Sequence, residues 1–277
     1  MAKHTTIGAG GRARYFAIPR STGEVVGLVR AALELDIDYI GIGRGSNLIV
    51  RDGGFSGLVI KVADNMRNLR LFSRTAHAEA GVSFTRLGRT LTREGRPGFE
   101  FAVGIPGSVG GAVRMNAGAF GRDIARVLKK ATVVDGEGRV VRFTPEELGF
   151  GYRQSALPSD AIVLSVIFNC PPGEIDKEAL RLSRSRGETQ PLAQKSFGST
   201  FKNPPGGVAA KMIEECGLKG TRRGGAMVSD KHANFIVNVG TKTEANDIED
   251  LIDFIINRVK ARFGVELTPE VIIIGDR

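Results

Sequence analysis

Gly104-Ile105-Pro106-Gly107-Ser108-Val109-Gly110-Gly111-Ala112-Val113-Arg114-Met115-Asn116-Ala117-Gly118-Ala119 carries four glycines and a proline in its first eight residues. That density is expected to keep it out of an ordinary helix or strand interior. Glycine lets a backbone approach another group closely, with its N–H groups free to point at an anion. A flexible tether would be rich in Ser and Gly without apolar anchors. Here Val109, Ala112, Val113 and Met115 supply such anchors. The stretch is therefore expected to be a rigid cradle for a phosphorylated ligand.

A second cradle lies upstream at Gly41-Ile42-Gly43-Arg44-Gly45-Ser46-Asn47. A dinucleotide fingerprint needs G-x-G-x-x-G opening a helix, and Ser46 stands where the last glycine belongs. Leu48-Ile49-Val50 and Gly57-Leu58-Val59-Ile60 read as strands around the turn Arg51-Asp52-Gly53-Gly54, so a Rossmann fold is disfavoured. Phosphate would be held by loop amides between strands.

At 277 residues and 42% hydrophobic content the chain can bury a sizeable core in one to three domains. No apolar run reaches the ~18 residues of a transmembrane helix. The start Met1-Ala2-Lys3-His4-Thr5-Thr6 lacks the apolar core of a secretory signal, so a cytoplasmic location is expected. Cys170 and Cys216 form no metal-type pair, and His4, His77 and His232 are not at metal-ligand spacing, so no metal is expected. The formal charge of +9 is spread along the chain in short clusters, such as Arg181 to Arg186 and Arg222-Arg223. With no Trp and three Tyr there is little sign of a stacking platform for nucleic acid. Clefts for dinucleotides and nucleotide sugars also use positive potential.

Strands are expected at Tyr15 to Ile18 and Tyr39 to Ile42. Between them lies a helix capped by Ser21 or Thr22, with Val25, Leu28, Val29, Ala32 and Leu33 on one face. Leu69 to Phe72 and Ala76 to Ala80 read as strands, and Phe84, Leu87 and Leu91 as a helix face. Ala131 to Val134 and Val140 to Phe143 flank the turn Asp135-Gly136-Glu137-Gly138 as a hairpin. Thr144-Pro145-Glu146-Glu147 has the signals of a helix start. Ile162 to Phe168 is a further strand, reached through the insertion Phe150 to Ser155. In the last third, Val208 to Cys216 reads as a helix, and Ala226 to Val228 and Phe235 to Val239 as strands. Thr243 opens the longest helix, whose apolar face (Ile248, Leu251, Ile252, Ile255, Ile256, Val259, Phe263) ends at Gly264. Val271 to Ile274 reads as a buried strand. Boundaries are expected near residues 61 and 188.

Phe197-Gly198-Ser199-Thr200-Phe201-Lys202-Asn203-Pro204 sets a serine, a lysine and an amide in one short turn. A nucleophilic Ser199 would want an adjacent base, and no G-x-S-x-G elbow is present, so the residues alone read as a capped turn. On the same footing Arg153 reads as a solvated side chain and Glu270 as a strand-entry charge. Spacing alone supports two anion cradles and no assigned reaction.

Six segments taken together resemble the UDP-N-acetylenolpyruvoylglucosamine reductases, flavoenzymes of the peptidoglycan precursor pathway. They are His4-Thr5-Thr6, Gly43 to Leu48, Gly104 to Gly118, Tyr152-Arg153-Gln154-Ser155, Gly198 to Pro204 and Pro269-Glu270-Val271. Each is weak alone, but the family's order is kept over nearly the whole chain. The resemblance implies an α+β fold: a two-part FAD-binding module of the vanillyl-alcohol-oxidase type plus a C-terminal α+β substrate-binding domain. The parts would be residues 1–61, 62–188 and 189–269, with a terminal strand in 270–277 returning to the first. FAD would be bound by Gly41, Gly43, Arg44, Gly45, Ser46, Asn47 and Leu48, and by Gly104, Ile105, Pro106, Gly107, Ser108, Gly110, Gly111, Asn116, Ala117 and Gly118.

The implied activity is NADPH-dependent reduction of an enolpyruvyl ether on a UDP-sugar. Hydride would arrive at C3 of that ether and a proton at C2. By motif position Arg153 and a protonated Glu270 would stabilise the enolate formed between those events, and Ser199 would deliver the proton, with Lys202 as its helper. Tyr152, Arg186, Lys202, Asn203 and His232 are the candidates for binding substrate. The chain has no room for the tyrosine-bearing insertion of the longer members and looks like the shorter type. The implied partners are the UDP-sugar and NADPH, with no nucleic acid or membrane, on a monomer. The rivals are another flavin oxidoreductase of the same fold and a basic nucleotide- or nucleic-acid-binding protein without catalysis.

Overall fold

A computed structural model describes all of residues 1–277. The chain forms two compact units: residues 15–44 with 57–186, and residues 1–14 with 45–56 and 187–277. Residues 1–61 are thus shared between the two units.

The unit of residues 15–44 and 57–186 is built on a five-stranded antiparallel sheet. Its order is Val140–Phe143, Leu128–Val134, Ile162–Asn169, Thr75–Glu79, Leu69–Leu71. Alternation along Thr75–Glu79 turns Ala76 and Ala78 into the core and His77 outward. The Tyr39–Ile42 and Phe55–Lys61 strands pair in parallel, Tyr39 opposite Leu58. Such a pairing needs a crossover connection.

The Thr22–Glu34 helix is capped by Ser21, whose hydroxyl accepts from the Glu24 N–H at 3.2 Å. It buries Val25, Val29 and Ala32, whereas Leu33, expected on that face, is 43% exposed. The Phe84–Arg93 helix buries Phe84, Leu87, Gly88 and Leu91. Its Gly88 lets the backbone close on Ala102, since a Cβ there would lie 2.9 Å from the alanine methyl. Phe99 meets Phe168 edge-on at 5.4 Å, and Phe84 meets Phe101 at 5.9 Å. Fully burying one such side chain contributes about 1.5–3 kcal/mol, so these rings hold the helical layer to the sheet.

The unit of residues 1–14, 45–56 and 187–277 centres on the 19-residue Ala245–Phe263 helix. The apolar face expected from the sequence is buried at Ile248, Leu251, Ile252, Ile255 and Val259, and Gly264 ends the helix at φ +67°. Thr243 does not open it. Glu244 is the N-cap in a capping box with Asp247, while the Thr243 hydroxyl donates to Asn238 Oδ1 at 2.6 Å. Both Asp52 carboxylate oxygens accept N–H groups of the first turn, from Ala245 and Asn246 at 2.9 Å, an acidic partner suited to the positive helix end. Arg51 grips the nearly buried Glu249 two-pronged, at 3.0 and 3.1 Å. A four-stranded sheet, Lys195–Ser196, Ile236–Asn238, Ala226–Val228, Arg222–Arg223, packs beside the helix.

Four further expectations are corrected. Val109–Arg114 is a short helix running straight through Gly110 and Gly111. Ser108 caps it and Val109, Ala112 and Val113 bury one side, so packing outweighs the low helix propensity of glycine. Lys177–Thr189 is a 13-residue helix where only a basic cluster was noted. It buries just Ala179 and Ser183, so it shows little apolar periodicity. Thr144 to Leu148 makes one turn, closed by Leu148 N–H to the Thr144 carbonyl at 3.1 Å, and goes no further. Finally, Ile272–Ile274 is not wholly buried. It pairs in parallel with Leu48–Val50 alone, which leaves Ile272 38% exposed.

Candidate active site

In the sheet-centred unit, the residues singled out in the sequence gather around the loop of residues 104–118. Gly104 and Gly107 take φ of +88° and +120°, backbone that favours glycine. The N–H groups of Gly104, Gly107 and Ser108 make no hydrogen bond within the protein, whereas those of Ile105, Val109 and Gly110 donate to Ala102, Val82 and Ala80 carbonyls. Donors left over on a fixed loop are what an anion requires. A Cβ on Gly43 would overlap the Ser108 hydroxyl, so the first glycine segment lies against this loop. Gly41 faces elsewhere: its Cβ would strike Ile162 at 2.7 Å, so its glycine serves packing. Gly110 does likewise against Ala80.

Asn116, at φ +40° and 4% exposure, spends its amide inside the protein. Its Nδ2 donates to the Gly151 carbonyl at 3.0 Å, and its Oδ1 accepts from the Ala125 N–H at 3.1 Å. It thereby ties the loop to the turn that bears Tyr152 and Arg153. That turn is closed by the paired Gly151 and Gln154. Arg153 sits at φ +56°, an unusual place for a residue with a side chain, and is not the solvated arginine of the default expectation. Its guanidinium donates to the Gly118 carbonyl at 2.7 Å and lies 5.2 Å from the centre of the exposed Tyr152 ring. Arg186 reaches the same loop from the Lys177–Thr189 helix, its Cδ 3.7 Å from where a Gly104 Cβ would stand. Burial, with the neighbouring Arg153 charge, holds the Arg186 guanidinium below its ordinary pKa. The two guanidinium groups are therefore close enough to feel each other's charge.

In the unit of the long helix, Gly45 takes φ +63° and its carbonyl accepts from the Thr6 N–H at 3.0 Å. The Thr6 hydroxyl donates on to the Ser196 carbonyl at 2.6 Å. Gly45 and Ser46 lead through Asn47 into Leu48, which is buried in its strand. Asn47 Nδ2 donates to the Glu270 carbonyl at 3.0 Å. Glu270 N–H in turn donates to the Thr200 carbonyl at 2.8 Å, and Phe201 bridges Pro269. About seventy residues apart in sequence, the turn bearing Ser199 and the main chain of Glu270 are therefore backbone neighbours. Gly198 at φ +87° makes the turn possible, and Ser199 and Glu270 are both half-buried.

Lys202 is fixed by its N–H to the Thr268 carbonyl at 2.9 Å. Asn203 accepts the Ala209 N–H on Oδ1 at 3.0 Å, capping the Ala209–Glu215 helix with one end of its amide. His232 stacks edge-on against Phe235 at 4.8 Å and accepts the Asn234 N–H on Nδ1 at 3.3 Å.

Asn234 has no place in the sequence reading. Asn234, 5% exposed, accepts the Phe201 N–H on Oδ1 at 2.9 Å and donates from Nδ2 to the Phe201 carbonyl at 2.8 Å. Its own carbonyl accepts from Thr200 at 2.8 Å. The available signal was an amide inside the apolar run Ala233 to Val237, a place where a polar side chain needs full satisfaction.

Two family descriptions match the chain in tandem: an FAD binding domain over residues 13–144, and the C-terminal domain of UDP-N-acetylenolpyruvoylglucosamine reductase over residues 190–274. The protein is an FAD-binding oxidoreductase of α+β fold, with a flavin module followed by a separate C-terminal domain. Its relatives narrow the class. UDP-N-acetylenolpyruvoylglucosamine reductase of Streptococcus pneumoniae (strain JJA) is 45% identical over 271 residues, covering 96% of this chain and 89% of that one. The strain R6 protein of that name is equally similar, with 85% of its length covered. The crystal structure of the Thermus caldophilus enzyme of the same name superposes with a TM-score of 0.83 at 36% identity, over 98% of this chain and 96% of that one. The chain belongs to the UDP-N-acetylenolpyruvoylglucosamine reductase family.

Proposed function

We propose that the protein reduces the enolpyruvyl ether of UDP-N-acetylenolpyruvoylglucosamine to UDP-N-acetylmuramate with NADPH as reductant, in peptidoglycan precursor synthesis in the cytoplasm. The neighbouring backbones of the Ser199 turn and Glu270 carry the proposal, because a proton donor to C2 and a hydrogen-bond donor to the adjoining carboxylate must be held together. The three-part division at residues 61 and 188, with a returning terminal strand, is retained as the family's plan. A monomer is proposed.

FAD, when bound, would supply the hydride chemistry that links NADPH to C3 of the ether. The unengaged amides of Gly104, Gly107 and Ser108 fit a diphosphate, and the glycines beside them leave room for it to approach. Arg44, Ile105 and Pro106 would complete this cradle, and Gly41, Gly110, Gly111, Asn116 and Ala117 would keep it in shape. Gly45, Ser46 and Leu48 are proposed as FAD-binding residues by motif position.

Charge that develops on the substrate carboxylate after C3 is reduced calls for a cation and a hydrogen-bond donor. Arg153 supplies the first and Glu270, in its protonated form, the second. Ser199 gives its proton to C2, and Lys202 on the same turn supports the hydroxyl. Tyr152, Arg186, Asn203 and His232 hold the nucleotide sugar.

Removing a general acid costs about 10²–10⁴-fold in the step it serves. Ser199→Ala is therefore expected to leave bleaching of the flavin by NADPH intact while reoxidation by the enolpyruvyl sugar slows by a factor in that range. Reoxidation at the wild-type rate removes Ser199 from the mechanism.

A further inference from the structure

Glu100 is fully buried, immediately before the glycine loop, and no step above uses it. A carboxylate without water is tolerated only when its oxygens are satisfied. Here three segments do so. Oε2 accepts from the Gly98 N–H at 2.8 Å and from Arg122 Nη1 at 3.1 Å, and Oε1 accepts from the Asp176 N–H at 3.1 Å. Arg122 turns its other nitrogen to Asp176 Oδ2 at 2.6 Å. Asp176 Oδ1 caps the Lys177–Thr189 helix through the Ala179 N–H at 2.9 Å.

The places these residues occupy give the network its meaning. Glu100 opens the turn Glu100–Ala102, whose last carbonyl receives the Ile105 N–H at 3.2 Å. Arg122 lies across from Ala119 in the small hairpin that ends the loop. The Glu100–Arg122 pair thus joins the two ends of residues 104–118. The helix begun at Asp176 backs onto the same loop, with the Ser183 carbonyl 3.1 Å from where a Gly104 Cβ would stand.

We infer that Glu100, Arg122 and Asp176 form a clasp that fixes the spacing of the loop's anion-binding amides before the cofactor arrives. The inference rests on the proposal that this loop holds the FAD diphosphate. The three are positioning residues: none touches the ligand, and each acts through the backbone it holds. A loop already ordered loses less freedom on binding, so a clasped loop holds FAD more tightly than a free one.

The test compares wild type, Asp176→Asn, Arg122→Ala and the double variant Glu100→Gln/Arg122→Ala. Asparagine retains the helix-capping oxygen but turns an N–H₂ toward the guanidinium. The double variant leaves no unpaired buried charge and so guards against simple misfolding of Arg122→Ala. FAD release from each purified holoenzyme is followed by free-flavin fluorescence, and hydrogen exchange is measured on the same preparations.

The expected result is release faster by about tenfold or more, with exchange raised in residues 104–118 and unchanged in Thr75–Glu79 and Ile162–Asn169. Release within about twofold of wild type in the folded double variant overturns the clasp, as does exchange raised equally in the loop and the sheet. If wild type takes up no FAD, the functional proposal fails, and loop exchange alone still decides the clasp.

Discussion

Asn234→Ala is expected to be among the most damaging single changes outside the proposed catalytic residues. The wild-type amide satisfies both the N–H and the C=O of Phe201, a residue 1% exposed, at 2.9 and 2.8 Å. Alanine offers neither partner and leaves no obvious route for water to replace them. A buried polar group left unsatisfied costs about 1–3 kcal/mol, so losing two partners costs about 2–6 kcal/mol. Against a typical domain stability of about 5–15 kcal/mol that is a large share. The same bonds hold the segment that follows Ser199, so surviving folded protein is expected to turn over slowly. Urea unfolding of the purified variant measures the first effect and steady-state NADPH oxidation the second. A loss below about 0.5 kcal/mol with normal turnover would refute the claim that this amide staples the turn.

Three further outcomes follow from the same geometry. Gly45→Ala puts a side chain at φ +63° and drives its Cβ into the His4 carbonyl oxygen, so a loss of at least ~1–2 kcal/mol and weaker FAD retention are expected, read by thermal melting and flavin release. Arg186→Ala is expected to raise KM for the UDP-sugar more than it lowers kcat, and undiminished binding of UDP would retire Arg186 as a ligand contact. Burial raises the Cys170 thiol pKa, opposed by a hydrogen bond from Arg96, so native protein is expected to resist iodoacetamide at Cys170 and to react there once unfolded. With its folded pKa raised, that thiol adds stability that is whole below the ordinary thiol range and lost as pH climbs through the raised value. Denaturant midpoints that rise with pH across that range would contradict the sign.

Elements with strong periodicity were legible in the sequence. The Ala245–Phe263 helix, the Phe84–Arg93 helix and the Val140–Phe143 hairpin partner each announce themselves through apolar spacing or turn chemistry. The Val109–Arg114 helix did not, because its two glycines lower local propensity and what restores it, burial of Val109, Ala112 and Val113 against the sheet, is tertiary. Lys177–Thr189 failed for the opposite reason: a helix that buries only two small side chains leaves no periodic trace.

The site follows the same rule. Glycines that form a cradle are visible as a cluster, but sequence does not separate Gly107, with its unengaged N–H, from Gly41 and Gly110, which are small because Ile162 and Ala80 press on them. Asn234 and Glu100 were missed because their partners are backbone groups far along the chain, which no local motif records.

The account stands most directly on one assay: NADPH oxidation by the purified yellow protein, with and without UDP-N-acetylenolpyruvoylglucosamine. Consumption of NADPH that matches the enolpyruvyl sugar mole for mole, and stops when the sugar is spent, is the expected result. Oxidation that ignores the sugar, or a protein from which acid releases no FAD, would contradict it.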